Sequence, residues 1–216
     1  MIDRKGFTLL ELLISITLIA VLVVVLSMAL RSGINAYSRS KNYNRFYLPM
    51  ASLYGLLWRQ MEAVVGPSDP ALQAYSKFNG RRDALTFTST YVPQGTSQGG
   101  IFQVVYLYDE EGKRIIYAQK VITSRADIEK RVPAEPVKLD KKTLAEKGWI
   151  IDEIDNVDEF SFAYKPSDAG PETAPEDWDE KFNRRRLLPQ EIAFKLKFKD
   201  QDKQEAKWQV IPVGIR

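Results

Sequence analysis

An uncharged apolar run near the N-terminus constrains this chain more than any other feature of its sequence. Apolar residues dominate from position 7 to position 30, and residues 12–30 contain no Asp, Glu, Lys or Arg. As an α-helix this uncharged run is about 28 Å long, which matches the hydrocarbon core of a bilayer. The sequence therefore predicts a transmembrane helix over residues 7–30.

Glu11 is the one charged residue inside the apolar stretch. A carboxylate in hydrocarbon costs on the order of 2 to 4 kcal/mol unless it has a partner, although a position near the headgroups would let it reach water. A secretory signal peptide is another interpretation, because Ser27 and Ala29 have the spacing that signal peptidase reads. Against it, the apolar run is longer than that of a typical signal peptide and contains an acid.

The composition excludes several classes of enzyme. The 216 residues include no Cys and no His, so the chain cannot build a Cys/His zinc site, an iron–sulfur cluster, a cysteine nucleophile or a Ser-His-Asp triad. The composition still permits catalysis by Asp or Glu carboxylates, a Ca²⁺ or Mg²⁺ ion bound by carboxylates, and functions without catalysis. No Asp/Glu pair stands out by its spacing, and a net charge of +3 is too small to indicate a nucleic-acid partner.

The residues before the uncharged run form a recognisable motif. Arg4 and Lys5 precede Gly6, and residues 6–11 read GFTLLE. This pattern resembles the signature of type IV prepilins. The resemblance implies that residues 1–6 are a leader peptide, that prepilin peptidase cuts between Gly6 and Phe7, and that the new Phe7 amine is N-methylated. It also implies that Glu11 neutralises the Phe7 amine of its own chain or of a neighbouring subunit, and two paired buried charges cost far less than one alone.

The helix is predicted to continue beyond the membrane to residue 65. Apolar residues recur every three or four positions along one face, which we interpret as a core face packed on a sheet. Gly33 and Pro49 predict local bends, and Gly66-Pro67 predicts the end of the helix. The apolar positions are Met50, Leu53, Tyr54, Leu57, Trp58, Met61, Val64 and Val65.

The charged residues between Glu11 and Glu62 are all basic, because no Asp or Glu occurs in this stretch. They suit either a solvated face near anionic headgroups or contacts with acidic groups of neighbouring helices. The positive-inside rule places the side richer in Lys and Arg in the cytoplasm, and here the side after the membrane span has more of them than the leader. This conflicts with a cytoplasmic leader, but large domains translocate largely regardless of charge. We therefore keep the topology that the leader implies. The basic residues are Arg31, Arg39, Lys41, Arg45 and Arg59.

The rest of the chain alternates in the manner of β-strands. Strands are predicted at residues 84–92, 101–108, 114–123, 157–164, 192–198 and 208–213, with a hairpin turn at Gly112 and loops at 66–83, 124–148 and 165–189. A helix followed along the chain by strands predicts an α+β, pilin-like fold, in which a long N-terminal transmembrane helix is packed on antiparallel β-sheets. The predicted parts are the leader at 1–6, the transmembrane helix at 7–30, its periplasmic continuation at 31–65 and a β-rich periplasmic pseudopilin domain at 66–216.

Short segments in the C-terminal part of the chain carry a second resemblance. The chain resembles the minor pseudopilin J family of type II secretion systems in four places. These are residues 104–108 before Gly112, residues 157–164, Trp178, and Leu188-Pro189 leading into residues 192–198. The presence of Glu11 speaks against the K type, and the body is larger than expected for the I type.

This resemblance implies a structural subunit and not an enzyme, with no cofactor and no metal. The subunit would be held in the bacterial inner membrane by a single span, with its C-terminal domain in the periplasm. It would join I-type and K-type minor pseudopilins in the tip complex that primes the pseudopilus for export of folded proteins. Prepilin peptidase, the inner-membrane assembly platform, and the H-type and major pseudopilins are further expected partners. A minor pilin of a type IV pilus or DNA-uptake fibre, and a periplasmic enzyme using paired carboxylates, are the alternatives.

Two charged clusters need separate interpretation. An acidic cluster could be a Ca²⁺ loop, but Ile154 and Val157 break the ligand spacing and no Gly supplies a tight turn, so we favour a solvated acidic turn. A basic run beside Lys181 is interpreted as a loop face or a contact with an acidic subunit. The acidic residues are Asp152, Glu153, Asp155, Asp158 and Glu159, and the basic run is Arg184-Arg185-Arg186.

Overall fold

The computed structural model describes residues 9–42, 48–92, 99–124, 127, 146, 148–166, 168–183, 187–199 and 206–214. The chain divides into two compact units, residues 1–49 and residues 50–216. The fold is α+β, with a long apolar N-terminal helix followed by antiparallel β-sheets, and this pilin-like arrangement confirms the predicted class.

The first helix, α1, runs from Leu9 to Asn42 and is 34 residues long. Glu11 lies in its first turn, where a carboxylate complements the positive end of the helix dipole. The Ser15 and Thr17 hydroxyls donate hydrogen bonds of 2.8 Å to the carbonyl oxygens of Glu11 and Ile14. These two polar side chains are therefore satisfied by their own helix, as an apolar environment requires.

The second helix, α2, runs from Leu48 to Glu62, and residues 43–47 lie outside the described residues. Pro49 lies in its first turn, where the missing N–H removes no helical hydrogen bond. The helix ends three residues before the predicted position, because the Val65 amide donates to the Thr88 carbonyl oxygen at 2.8 Å. The predicted core face is confirmed, since Leu53, Leu57 and Met61 are buried.

Nine strands form two antiparallel sheets within the described residues. The first has six strands in the order β5-β4-β3-β2-β1-β7, and the second has three in the order β6-β8-β9. The bounds are β1 Phe78–Arg81, β2 Ala84–Ser89, β3 Ile101–Asp109, β4 Arg114–Ile122, β5 Ile150–Asp155, β6 Val157–Tyr164, β7 Lys181–Phe182, β8 Glu191–Phe198 and β9 Trp208–Pro212.

Three of these strands differ from the sequence-based prediction. β1 and β7 lie inside stretches predicted as loops, and they pair with each other through Gly80 and Phe182. They are too short to show a period of two. β5 lies in the stretch interpreted as an acidic turn, but it pairs with β4 at the edge of the sheet. Charged residues are common on such edges because they discourage pairing with other chains.

One aromatic core joins α2 to both sheets. Tyr106 of β3 contacts Phe162 of β6 edge to face, with ring centroids 6.5 Å apart. Phe194 of β8 contacts Tyr54 of α2 at 6.3 Å. We call the unit formed by residues 50–216 the body. Because Tyr106, Phe162 and Phe194 are all fully buried, the body has an apolar core that does not depend on a membrane.

Candidate functional site

The N-terminal site that the sequence predicts lies only partly within the described residues. Arg4, Lys5, Gly6 and Phe7 lie outside them. Glu11 lies within them, in the first turn of α1, and its side chain is exposed. The structure therefore shows the helix that carries Glu11, while the roles of all five residues stay predictions.

Among the described residues, α1 carries most of the large apolar side chains that are exposed. Its large apolar side chains are exposed all round the helix, from 48% for Ile14 to 84% for Leu9. A core helix of a water-soluble domain would bury one such face. The segment Leu9–Tyr37 is long and apolar enough to cross a membrane, and none of it is buried inside the described structure.

Comparison with known families identifies the N-terminal part of the chain. Residues 1–27 match the family described as the prokaryotic N-terminal methylation motif. The chain thus has a type IV prepilin-like N-terminus, on a helix able to span a membrane. The match covers the positions of Gly6, Phe7 and Glu11. No curated protein matches the chain.

A buried polar network connects α2 to the larger sheet, and the sequence analysis missed it. The Tyr106 hydroxyl donates to Gln60 Oε1 at 2.6 Å, and Gln60 Nε2 donates to the Tyr117 hydroxyl at 2.8 Å. Tyr117 in turn donates to Gln119 Oε1. Gln60 occupies a position on the apolar face of α2, between Leu57 and Met61, which is the one sequence signal that could have indicated an inward polar side chain.

Burial keeps both tyrosines of this network protonated. It raises the pKa of Tyr117 to about 12, although the hydrogen bond from Gln60 acts in the opposite direction. Burial also raises the pKa of Tyr106 well above its ordinary value. Both hydroxyls therefore remain hydrogen-bond donors at neutral pH, and the network is complete without an ionised group.

The carboxyl end of α2 is held by hydrogen bonds from two strands. The Ser89 hydroxyl of β2 donates to the carbonyl oxygens of Gln60 at 3.0 Å and Ala63 at 3.1 Å. The amide of Gly214, just after β9, donates to the Met61 carbonyl oxygen at 3.1 Å. The carbonyl groups that a helix end leaves without helical partners are thus satisfied by both sheets. Side-chain and backbone contacts together position α2 on the body.

The acidic cluster is paired with basic side chains in the structure. Asp158 lies 3.6 Å from Lys113, Glu159 lies 3.0 Å from Lys195, and Glu153 lies 3.5 Å from Arg114. Asn156, with a φ of 62°, makes the tight turn between β5 and β6 for which the sequence offers no Gly. Across the described ranges, no group of three His, Cys, Asp or Glu residues is placed to hold a metal ion.

The basic residues of the helical region fall into separate places. Arg31, Arg39 and Lys41 lie on α1, and the Arg31 side chain is exposed. Arg59 lies in the last turn of α2, with its guanidinium 5.8 Å from the ring centroid of Tyr91. Arg45 and the run at residues 184–186 lie outside the described residues, while Lys181 is exposed on β7.

Proposed function

We propose that this chain is a minor pseudopilin of the type II secretion system. In this role it is a structural subunit of the pseudopilus tip complex, which primes pseudopilus assembly for export of folded proteins across the outer membrane. The observation that carries the proposal is the methylation motif at residues 1–27 on a fully exposed apolar helix. The β-rich body, whose sequence resembles the J family, supports the particular subunit type.

The proposed mechanism begins with α1 leaving lipid and entering a helix bundle. Lipid tails are as apolar as Leu side chains, so apolar packing alone drives little of this exchange. A pair formed by Glu11 and the methylated amine of Phe7 on a neighbouring subunit supplies the specific element. Because an unpaired carboxylate at this depth is costly, the pair favours one axial alignment of neighbouring helices.

The body serves as a contact surface and not as a catalyst in this proposal. It lies in the periplasm, above a single inner-membrane span, and contacts I-type and K-type minor pseudopilins there. Prepilin peptidase processes the chain, and the assembly platform adds H-type and major pseudopilins below the tip. No cofactor, metal or nucleic acid takes part.

Mass spectrometry of the membrane-extracted chain tests the proposal. The chain is co-expressed with prepilin peptidase and candidate I-type and K-type partners. We expect a mature chain that starts at N-methyl-Phe7 in a stoichiometric complex with both partners. Methylated Phe7 without the partners would instead favour a minor pilin of a type IV pilus or DNA-uptake fibre, which shares the same leader. A chain that starts after Ala29 would overturn prepilin processing altogether.

The variant Glu11→Ala separates processing from assembly. We expect it to insert and to be cleaved and methylated like the natural chain, because the cleavage site is unchanged. We expect it to co-purify poorly with its partners, because the Phe7 amine loses its counter-charge. Glu62→Ala, which removes an exposed acid from the end of α2, is the matched control. Normal co-purification of the Glu11 variant would contradict the role of this residue.

A further inference from the structure

The far end of the membrane-spanning segment has a charge pattern that the assembly role does not use. The uncharged run ends at Leu30, and the next residue, Arg31, is exposed on α1. Arg39 and Lys41 follow on the same helix, and no Asp or Glu occurs from Arg31 to the end of α1. We name Arg31, Arg39 and Lys41 the basic collar.

The continuous helix sets the height of each collar residue above the hydrocarbon. With a rise of about 1.5 Å per residue, Arg31 lies at the edge of the core, Arg39 about 13 Å beyond Leu30 and Lys41 about 16 Å beyond it. A headgroup layer is roughly 5 to 7 Å thick on each side. For a helix along the bilayer normal, Arg31 therefore lies at the phosphates, and the other two lie within about one Debye length of the headgroup surface.

Tyr37 lies about 10 Å beyond Leu30, a few Å past the outer edge of this headgroup layer, and side chains on a helix lean back toward its N-terminus. Tyr37 is 70% exposed and follows Ile34, which is 56% exposed, so α1 remains partly apolar for two turns beyond Leu30. Tyr is typical of the membrane interface, where its ring lies among the headgroups and its hydroxyl reaches water. The spanning segment Leu9–Tyr37 contains 29 residues.

We infer that the basic collar binds anionic phospholipid headgroups on its side of the membrane. Arg31 pairs directly with a lipid phosphate, and Arg39 and Lys41 attract anionic lipid through the surface potential. The absence of acids on this part of α1 means that no neighbouring carboxylate of the helix competes for these charges. This inference does not depend on the proposed function, since lipid binding requires neither cleavage of the leader nor a partner subunit.

Lipid selectivity of the purified full chain tests the inference. The chain is reconstituted in mixed bilayers of phosphatidylcholine and anionic phosphatidylglycerol, and spin-labelled forms of the two lipids are compared for motional restriction at its surface. Each basic residue near an anionic surface favours binding by roughly five-fold. We expect the natural chain to prefer phosphatidylglycerol by at least that factor, and the preference to fall as NaCl is raised from about 0.05 to about 0.5 M.

Three variants identify the residues responsible. Arg31→Gln/Arg39→Gln/Lys41→Gln should insert normally and lose the preference, while Arg31→Lys/Arg39→Lys/Lys41→Arg should keep it. Lys181→Gln/Lys199→Gln/Lys207→Gln removes the same charge from exposed positions of the body and should also keep it. Equal preference in the collar variant and the natural chain would overturn the inference. So would no preference in the natural chain, which would assign the collar to acidic groups of a protein partner.

Discussion

The two helices α1 and α2 are both rich in apolar residues, but their surroundings are opposite. In α1, Leu22 is 58% exposed, and apolar residues occupy all sides of the helix as far as Leu30. In α2, Leu57 is fully buried and the apolar residues follow one face. The comparison shows that an apolar run on all sides of a long helix suits lipid, whereas an apolar stripe along one face suits packing on a sheet.

The largest expected difference between the helices comes from truncating one leucine in each. Leu57→Ala should lower the free energy of unfolding of the body by about 2 to 5 kcal/mol, because it leaves a cavity in the core. Leu22→Ala should leave that free energy unchanged, because its side chain is exposed and its removal leaves no buried cavity. Urea unfolding of the full chain in detergent, followed by tryptophan fluorescence, measures this, since all four Trp residues lie after residue 49. Equal losses in the two variants would contradict the comparison.

A smaller difference is expected at two glycines. A Cβ at Gly80 of β1 would overlap the ring of the buried Tyr164, whereas a Cβ at Gly33 of α1 would meet nothing within 4 Å. Gly80→Ala should therefore cost the body about 1 to 3 kcal/mol, while Gly33→Ala should leave it unchanged and favour the helix slightly.

The same unfolding measurement, together with circular dichroism, tests the glycine pair. Gly170→Ala, at a loop position where only the Thr173 hydroxyl lies near, is a control within the body. If Gly80→Ala unfolds at the same urea concentration as Gly170→Ala, the close approach of β1 to Tyr164 is not a real constraint.

The smallest expected effect is the coupling energy between two polar residues of the buried network, Gln60 and Tyr106. Gln60→Leu leaves the buried Tyr106 hydroxyl without its acceptor and should cost about 1 to 3 kcal/mol. Tyr106→Phe removes the donor, and the double variant should lose at least about 0.5 kcal/mol less than the sum of the single variants. A strictly additive cycle in urea unfolding would show that the bond contributes nothing specific. Ser15→Ala on α1, where the hydroxyl bonds only its own helix, should leave the body unaffected.

The sequence predicts the regular parts of the fold well. The uncharged run predicts α1, the spacing from Leu53 to Met61 predicts the buried face of α2, and alternation predicts the long strands, including the full hairpin from Ile101 to Ile122. These elements are long enough for the apolar spacing to repeat several times, so one atypical residue does not hide the pattern. The methylation motif likewise lies within contiguous residues, so the N-terminal site can be recognised from the amino-acid sequence alone.

Features that depend on distant pairing could not be predicted in this way. β7 has two residues and is a strand because Gly80 and Arg81 lie opposite it. The role of Gln60 depends on Tyr106 and Tyr117, which are 46 and 57 positions away. A polar residue on an apolar helical face signals an inward contact, but only the tertiary structure supplies its partner.

The internal hydrogen bonds of Ser15 and Thr17 have a consequence for how α1 meets another helix. Because both hydroxyl protons are already given to carbonyl oxygens of α1, neither side chain offers its donor to a neighbour. In the proposed assembly, a neighbouring helix would therefore accept no hydrogen bond from either hydroxyl, and it could turn about its own axis near this level without losing one. In that proposed assembly, the Glu11 carboxylate would set the axial offset between neighbouring helices, and contacts made elsewhere would set their rotation about the helix axis.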